Sequence, residues 1–180
     1  SKKYKISKKD VSKFPLQFND KNLKNLSCDG LISKEKNTAL CVLSADCLPL
    51  ILYHESGIIA ALHSGRKGSF ENILKECVDQ IVMQNPHLDK NKFHLFILPG
   101  ICAKNYEIDG EILEFAKKEF REFVQDNKLD LKALVKFQAQ NLGIGDIKDC
   151  GICNFDDESF FSYRRDKTPK RFVSVVYLKD

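Results

Sequence analysis

Apolar residues along this chain gather into runs of two periods. Leu48-Pro-Leu-Ile-Leu-Tyr53 and Gly57-Ile-Ile-Ala-Ala-Leu62 are continuous apolar stretches joined by the polar His54-Glu-Ser56. Two such runs across a short polar connection predict a β-hairpin. Thr38–Ser44 predicts a buried strand before it, Phe93–Leu98 a strand closed by Pro99-Gly100, and Phe172–Leu178 a last strand. Residues 3–6 predict a short strand, and residues 7–37 a polar connection with one apolar patch at Leu31-Ile32. Elsewhere the period lengthens. After the glycine-bracketed turn Gly65-Arg-Lys-Gly68, with Ser69 as N-cap, Phe70, Ile73, Leu74, Cys77, Val78 and Ile81 recur at helical spacing up to the stop at Pro86. A second helix is expected from about Gly110 to Asn127, on Ile112, Leu113, Phe115, Ala116, Phe120 and Phe123. A third should run from Leu131 to Leu142, capped by Asp130 and ended by Gly143. Residues 150–166 read as a polar-aromatic loop. Strands in blocks, without strict alternation with helices, predict the α+β class: a mixed or antiparallel sheet with helices outside.

The hairpin carries the candidate chemistry. If Tyr53 pairs with Gly57, the register places Cys47 opposite His63 on one face, with Cβ atoms roughly 4.5–5.5 Å apart. That separation suits two ligands of one metal, or a thiol and the base that activates it. A one-residue slip would send the two side chains to opposite faces. The alternative is a small buried hydrophobe and a satisfied polar residue.

At 180 residues the chain is expected to be one domain, residues 1–180. The net charge of +4 is modest, and the early lysines are interleaved with acids without an aromatic-basic pattern, so a solvated surface is expected and not nucleic-acid binding. No apolar run long enough to span a membrane is visible, and the seven cysteines are expected to be reduced thiols of a cytoplasmic protein. Cys28, Cys41 and Cys77 fit core positions. Cys150-Gly-Ile-Cys153 is a redox pair, half a zinc site or a structural loop element, and no second C-x-x-C completes a four-thiolate site.

Four segments occur in an order that resembles a known family: Ser44-Ala-Asp-Cys-Leu-Pro49, His63-Ser-Gly65 with Gly68, Leu98-Pro-Gly-Ile101 with Tyr106-Glu107, and Phe160-Phe-Ser-Tyr-Arg-Arg-Asp166. The chain is similar to the YfiH family, also called the laccase-domain or multicopper polyphenol oxidase family. The resemblance spans roughly residues 28–178. It implies a layered α/β/β/α fold with a mixed sheet sandwich, related to the cytotoxic necrotizing factor catalytic domain. It also implies a metal, usually zinc, held by one Cys and two His. Carried over by motif, Cys47 is the thiolate ligand and His63 one imidazole, both catalytic. The other His belongs to a Gln-x-His-Gly-like motif expected upstream of Ser1. The family carries about 60 more N-terminal residues without counterpart here, including an Arg implicated at the nucleoside site, so the chain is expected to be a fragment, the alternative being a member that has lost part of its site. In the family's His-x-Gly-Trp-Arg-Gly turn, Arg66-Lys67 replace Trp-Arg.

The activity implied by the family is phosphorolysis of adenosine, inosine and methylthioadenosine to free base and ribose 1-phosphate, with adenosine deamination beside it. The partners are then a purine nucleoside and phosphate, with no nucleic acid and no membrane, in a monomer or homodimer. A three-ligand zinc with an open position lowers the pKa of bound water to about 7. Arg66, Arg164 and Arg165 are candidates for phosphate, since guanidinium groups fork onto its oxygens. Lys67 and one of the two late arginines are more simply surface ion pairs. Asp46 orients His63 or a substrate hydroxyl, or caps its own turn. Tyr163 donates its hydroxyl or packs beneath the loop, and Phe160 and Phe161 belong to the core, the alternative being that they stack on a purine. The alternatives are a Cys-His hydrolase on the same pair, copper-dependent phenol oxidation, for which four scattered histidines are few, and an inactive interaction domain.

Overall fold

A computed structural model describes residues 28–180. The expected strand at residues 3–6 lies outside the described residues. The hairpin is formed by β3 (Leu48–His54) and β4 (Ile58–Ser64). Its turn is Glu55-Ser-Gly57, where Gly57 adopts φ +85° and its N–H donates to His54 O at 2.9 Å. A left-handed glycine closing a three-residue loop sets the register. Tyr53 therefore faces Ile59 and His54 faces Ile58. The expected pairing of Tyr53 with Gly57 is corrected by two positions. A shift of two keeps every side chain on its face.

These two strands are the middle of a five-stranded sheet of order β1-β4-β3-β5-β8, with β1 at Gly30–Ser33, β5 at Phe93–Ile97 and β8 at Asp146–Asp149. All neighbours are antiparallel except β5 and β8, so the sheet is mixed. Both faces are apolar, and alternation divides them. Leu48, Leu50, Leu52, Ile58, Ala60, Leu62, Phe93 and Leu95 join the helix-side core. Ile51, Ile59, Ala61 and Phe96 pack on Leu40 and Val42. Those last two belong to β2 (Leu40–Ser44), which pairs antiparallel with β9 (Phe172–Val176) as a separate ribbon. The described residues thus build a helical layer, a mixed sheet and a β-ribbon, an α+β architecture.

The helices depart from their expected bounds for local reasons. The first is broken into α1 (Arg66–Phe70) and α2 (Ile73–Gln84). Asn72, at φ 55°, turns the chain between them and caps α2 by accepting from Lys75 N at 3.1 Å. Ser69 is fully buried, meets Ser64 Oγ at 2.9 Å, and accepts at its carbonyl from Gln138 Nε2 at 2.7 Å. That network pins α1 to the end of β4. The second, α3 (Gly110–Glu119), stops short of Asn127. Asp126, at φ 57°, instead turns a tight hairpin of β6 (Val124–Gln125) and β7 (Lys128–Leu129). The third, α4 (Leu131–Asn141), matches its expected caps: Asp130 accepts from Ala133 N at 2.9 Å, and Gly143 follows at φ +81°. The loop at 150–166 ends in one helical turn, α5 (Tyr163–Asp166), capped by Ser162.

Candidate active site

Cys47 and His63 do meet, by a route other than direct opposition. Pro49 faces His63 and Leu48 faces Ser64, so Cys47 continues the register opposite Gly65. It reaches His63 diagonally along the same sheet face. Gly65 makes this approach possible: a Cβ there would stand 2.8 Å from Cys47 Sγ and 3.7 Å from His63 Cε1. Its φ of −73° is ordinary, so the requirement is for space and not for backbone freedom.

Around the pair the loops are tied down. Ser44 Oγ donates to Cys47 O. His63 N donates to Asp29 O at 2.7 Å, and the Asp29 carboxylate sits 3.0 Å from His63 Nδ1. Asp29 is therefore the residue that orients His63. With Nδ1 on a carboxylate, Nε2 is left for a ligand, the usual outer support of a metal-bound histidine. The hydrogen bond with Cys47, against the opposing effect of burial and with help from Asp29, raises the His63 pKa to about 9.

Asp46 has another task from those expected. It is buried, with φ 105°, a costly conformation for a residue with a side chain. Its Oδ1 accepts from Asn154 Nδ2 at 2.9 Å and Ser162 Oγ at 2.6 Å, and its Oδ2 from Arg164 N at 2.7 Å. The carboxylate thereby fastens the Ala-Asp-Cys turn to the Phe-Ser-Tyr-Arg-Arg-Asp loop, 116 positions away at Ser162. Asn154 was not singled out in the sequence. Nothing marks an Asn in a polar loop until its partner is known.

A cavity of about 650 Å³ opens over Cys47 and His63, lined also by Tyr106, Tyr163, Arg164, Lys167 and Arg171. The Arg164 guanidinium lies 5.5 Å from the Tyr106 ring centre and donates to Glu107 O at 3.0 Å. Burial, then the neighbouring Cys47, raise the Tyr106 hydroxyl pKa, which keeps it a neutral donor. Lys167 and Arg171 flank the Tyr163 ring at 5.4 and 5.7 Å. Tyr163 is exposed at the mouth and does not pack beneath the loop. Arg165 is not in the lining. Its guanidinium donates to Asn154 O, Phe155 O and Phe160 O at 2.8–2.9 Å and pairs with Asp166, so it staples the loop. Arg66 also stands outside the lining, though its charge acts on Tyr106. Lys67 pairs with Glu71. The cations gathered at the mouth are Arg164, Lys167 and Arg171, the last two unmarked by any sequence motif.

His54 and His94 are committed elsewhere. His54 is buried at the far end of the hairpin, with Nε2 3.0 Å from Asp89 O. His94 lies 2.5 Å from Asp146. Copper relay chemistry finds no cluster of histidines at Cys47 among the described residues.

A second group of donors stands apart. Cys102, Cys153 and Asp156 bring their ligand atoms within 4.8 Å of one another and could hold a metal ion. All seven cysteines are free. Within the C-x-x-C, Cys153 Sγ accepts from Cys102 N at 3.2 Å, and the Cys150 N–H donates to Ile97 O at 3.0 Å.

The α+β fold agrees with the comparisons. Residues 6–179 match the family model described as multi-copper polyphenol oxidoreductase laccase, and the chain belongs to that family. A Campylobacter jejuni protein named purine nucleoside phosphorylase is 94% identical over 161 residues, 89% of this chain and 71% of its own length. A Clostridium acetobutylicum protein of the same name is 35% identical over 169 residues, 89% of this chain and 70% of its length. The crystal structure of Bacillus licheniformis YfiH superposes with a TM-score of 0.75 at 25% identity, covering 84% of this chain and 61% of that one. A Neisseria meningitidis structure of the DUF152 family, at 23% identity and TM-score 0.74, shares the fold. No helix of the described residues is long and apolar enough to cross a membrane.

Proposed function

We propose that this chain carries most of the active site of a zinc-dependent purine nucleoside phosphorylase. The observation that carries the reading is the Cys47–His63 pair, held together at Gly65 on the floor of a cavity whose mouth is cationic. The two close relatives bearing that name support it.

In phosphorolysis a phosphate oxygen bonds to C1′ of the ribose as the C1′–N9 bond breaks, and the base leaves with a proton. Arg164, Lys167 and Arg171 would bind the phosphate, the first through its fork of N–H donors. Tyr106, neutral beside the thiol, would donate to a substrate oxygen, and the exposed Tyr163 would hold the nucleoside at the mouth. Asp46 acts at one remove: its carboxylate accepts from Asn154, Ser162 and the Arg164 N–H, and so fixes the Arg164 loop against the turn that carries Cys47. The donor set suits zinc: a soft thiolate, an imidazole and an outer carboxylate, Asp29. Cys47 and His63 would hold the ion, with a further His from outside the described residues. Bound there, zinc would polarise a substrate oxygen and acidify water, the chemistry that deamination of adenosine at C6 needs. The substrates on this reading are adenosine, inosine and methylthioadenosine.

The line Asp29–His63–Cys47 favours one rival, a cysteine hydrolase with carboxylate-oriented base and nucleophilic thiol. Chromatography of adenosine and inosine incubated with and without phosphate separates the two. Free base should appear only with phosphate, and Cys47→Ala or His63→Ala should lower turnover by at least about 100-fold with folding retained, the scale of a lost transition-state interaction. No base release by the metal-loaded protein would overturn the phosphorylase and leave the hydrolase.

A further inference from the structure

Two short turns face each other beside the segments that hold Asp46, outside the Cys47–His63 pair. In one, Cys102-Ala-Lys-Asn105, the Asn105 N–H returns to Cys102 O at 3.0 Å. In the other, Cys153-Asn-Phe-Asp156, the Asp156 N–H returns to Cys153 O at 3.1 Å. Each presents two donor side chains at positions i and i+3, the spacing of the C-x-x-C turns of structural zinc sites. Here an oxygen donor stands where each second cysteine would be. A parallel bridge between Gly100 and Cys153 sets the two turns in register.

We propose that Cys102, Cys153 and Asp156 form a second metal site, distinct from Cys47 and His63, that takes a thiophilic divalent cation of the zinc class. The three ligand atoms fall within 4.8 Å of one another, and Cys102 Sγ lies 3.7 Å from Asp156 Oδ2. On a tetrahedral zinc such atoms stand about 3.5–3.8 Å apart, given bonds of about 2.3 Å to sulfur and 2.0 Å to oxygen. Small side-chain adjustments close that gap. The Asn105 amide is already aimed at all of them: its Nδ2 lies 3.3 Å from Cys102 Sγ, 3.6 Å from Cys153 Sγ and 2.9 Å from Asp156 Oδ1. One neutral amide donor thus occupies the focus of three acceptors. Turned about its last torsion, the same amide offers Oδ1 as a fourth ligand.

The electrostatics close as well. Two thiolates and a carboxylate carry three negative charges. A divalent ion neutralises two, and Lys104, with Nζ 2.9 Å from Asp156, offsets the third. Cys153 is disposed to ionise. Burial opposes it, but hydrogen bonds from the Cys102 thiol and N–H and from Asn105 outweigh burial and lower its pKa. Burial and the Cys153 sulfur push the Cys102 thiol pKa up, and a bound cation would offset both effects.

The consequence is mechanical. Ile101 N donates to Asp46 O at 2.8 Å, and Asn154 N to Gly100 O at 3.3 Å. A metal at this point would staple together the two segments that hold Asp46 and, through it, the floor of the cavity.

The test uses the reduced 180-residue chain with zinc added, dialysed and measured by mass spectrometry of the metal, and with cobalt as the spectroscopic probe. One equivalent should be retained by the wild type and by Cys47→Ala alike, with thiolate-to-cobalt charge transfer in both. Cys102→Ser or Cys153→Ser should abolish it, and Asp156→Asn should weaken it by at least about tenfold, with circular dichroism confirming the fold. The wild-type chain with zinc should also resist proteolysis within residues 150–166 better than the chelated one. Metal retention unchanged by the Cys102 and Cys153 substitutions would overturn the site. So would a reduced chain that binds none, or a Cys102–Cys153 disulfide as the form recovered from cells. These outcomes leave the nucleoside reading, which rests on Cys47 and His63, to stand or fall on its own assay.

Discussion

A single missing side chain decides whether Cys47 and His63 form a pair. Strand register alone would leave them diagonal, and the thiol reaches the imidazole across the space above Gly65. Gly65→Ala should therefore push Cys47 Sγ away from His63 while leaving the backbone unstrained, since φ is already −73°. The expected outcome is a fall in nucleoside turnover of about tenfold or more with a melting temperature within a few degrees of wild type, the mark of a site perturbed inside an intact fold. A large loss of stability with unchanged turnover per folded molecule would show that Gly65 serves packing alone. Arg165 shows the complementary limit of reading residues from a motif. Two adjacent arginines look alike in sequence, yet one lines the cavity and the other satisfies three loop carbonyls. Only the turn of α5 separates their directions.

At the scale of elements, the hairpin, the strand at Phe93 and the capped helix α4 were legible because each has a strong period and explicit ends. Strand β8 was not, because Asp146-Ile-Lys-Asp149 offers one apolar side chain among charges, as edge strands do. The cost of that charged edge is met by α4. Asp149 is mostly buried, with Lys136 Nζ at 2.8 Å, Lys132 Nζ at 3.4 Å and Gly151 N at 2.8 Å. Burial pushes its pKa up, but these partners outweigh burial and hold it below the usual carboxylate range. A depressed native pKa contributes stability that is complete above the unfolded value of about 3.9 and is lost as pH falls through the native one. Asp149→Asn should cost about 1–3 kcal/mol near neutrality, the loss of charged hydrogen bonds to a buried acceptor. The difference from wild type, measured by urea denaturation, should shrink below about pH 4. A constant difference across that range would mean that Asp149 acts by shape and not by charge.

For the whole molecule, the site lies where several layers end together. The main sheet supplies His63, its extension supplies Cys47, the ribbon brings Leu43 and Arg171 alongside, and the last loop adds Tyr163 and Arg164. That convergence was legible as motif order, but not as geometry, because the contacts run between segments more than a hundred residues apart. The proposed zinc reading asks for a third protein donor beside Cys47 and His63. His54 and His94 are committed at the other end of the hairpin, and Asp46 is saturated by Asn154, Ser162 and Arg164. Cys47 and His63 thus supply two donors, and two seldom hold zinc tightly. The Campylobacter jejuni relative is longer, its matched region being 71% of its length. In a Cys102→Ser, Cys153→Ser background, which removes the proposed second site, the 180-residue chain should bind zinc weakly and turn over nucleoside at least about 100-fold more slowly than the same chain carrying the relative's additional residues. Equilibrium dialysis and base release measure the two effects. Tight, stoichiometric zinc on the unextended double variant, abolished by Cys47→Ala, would show that the third donor is already present, with Asp29 beside His63 the nearest candidate.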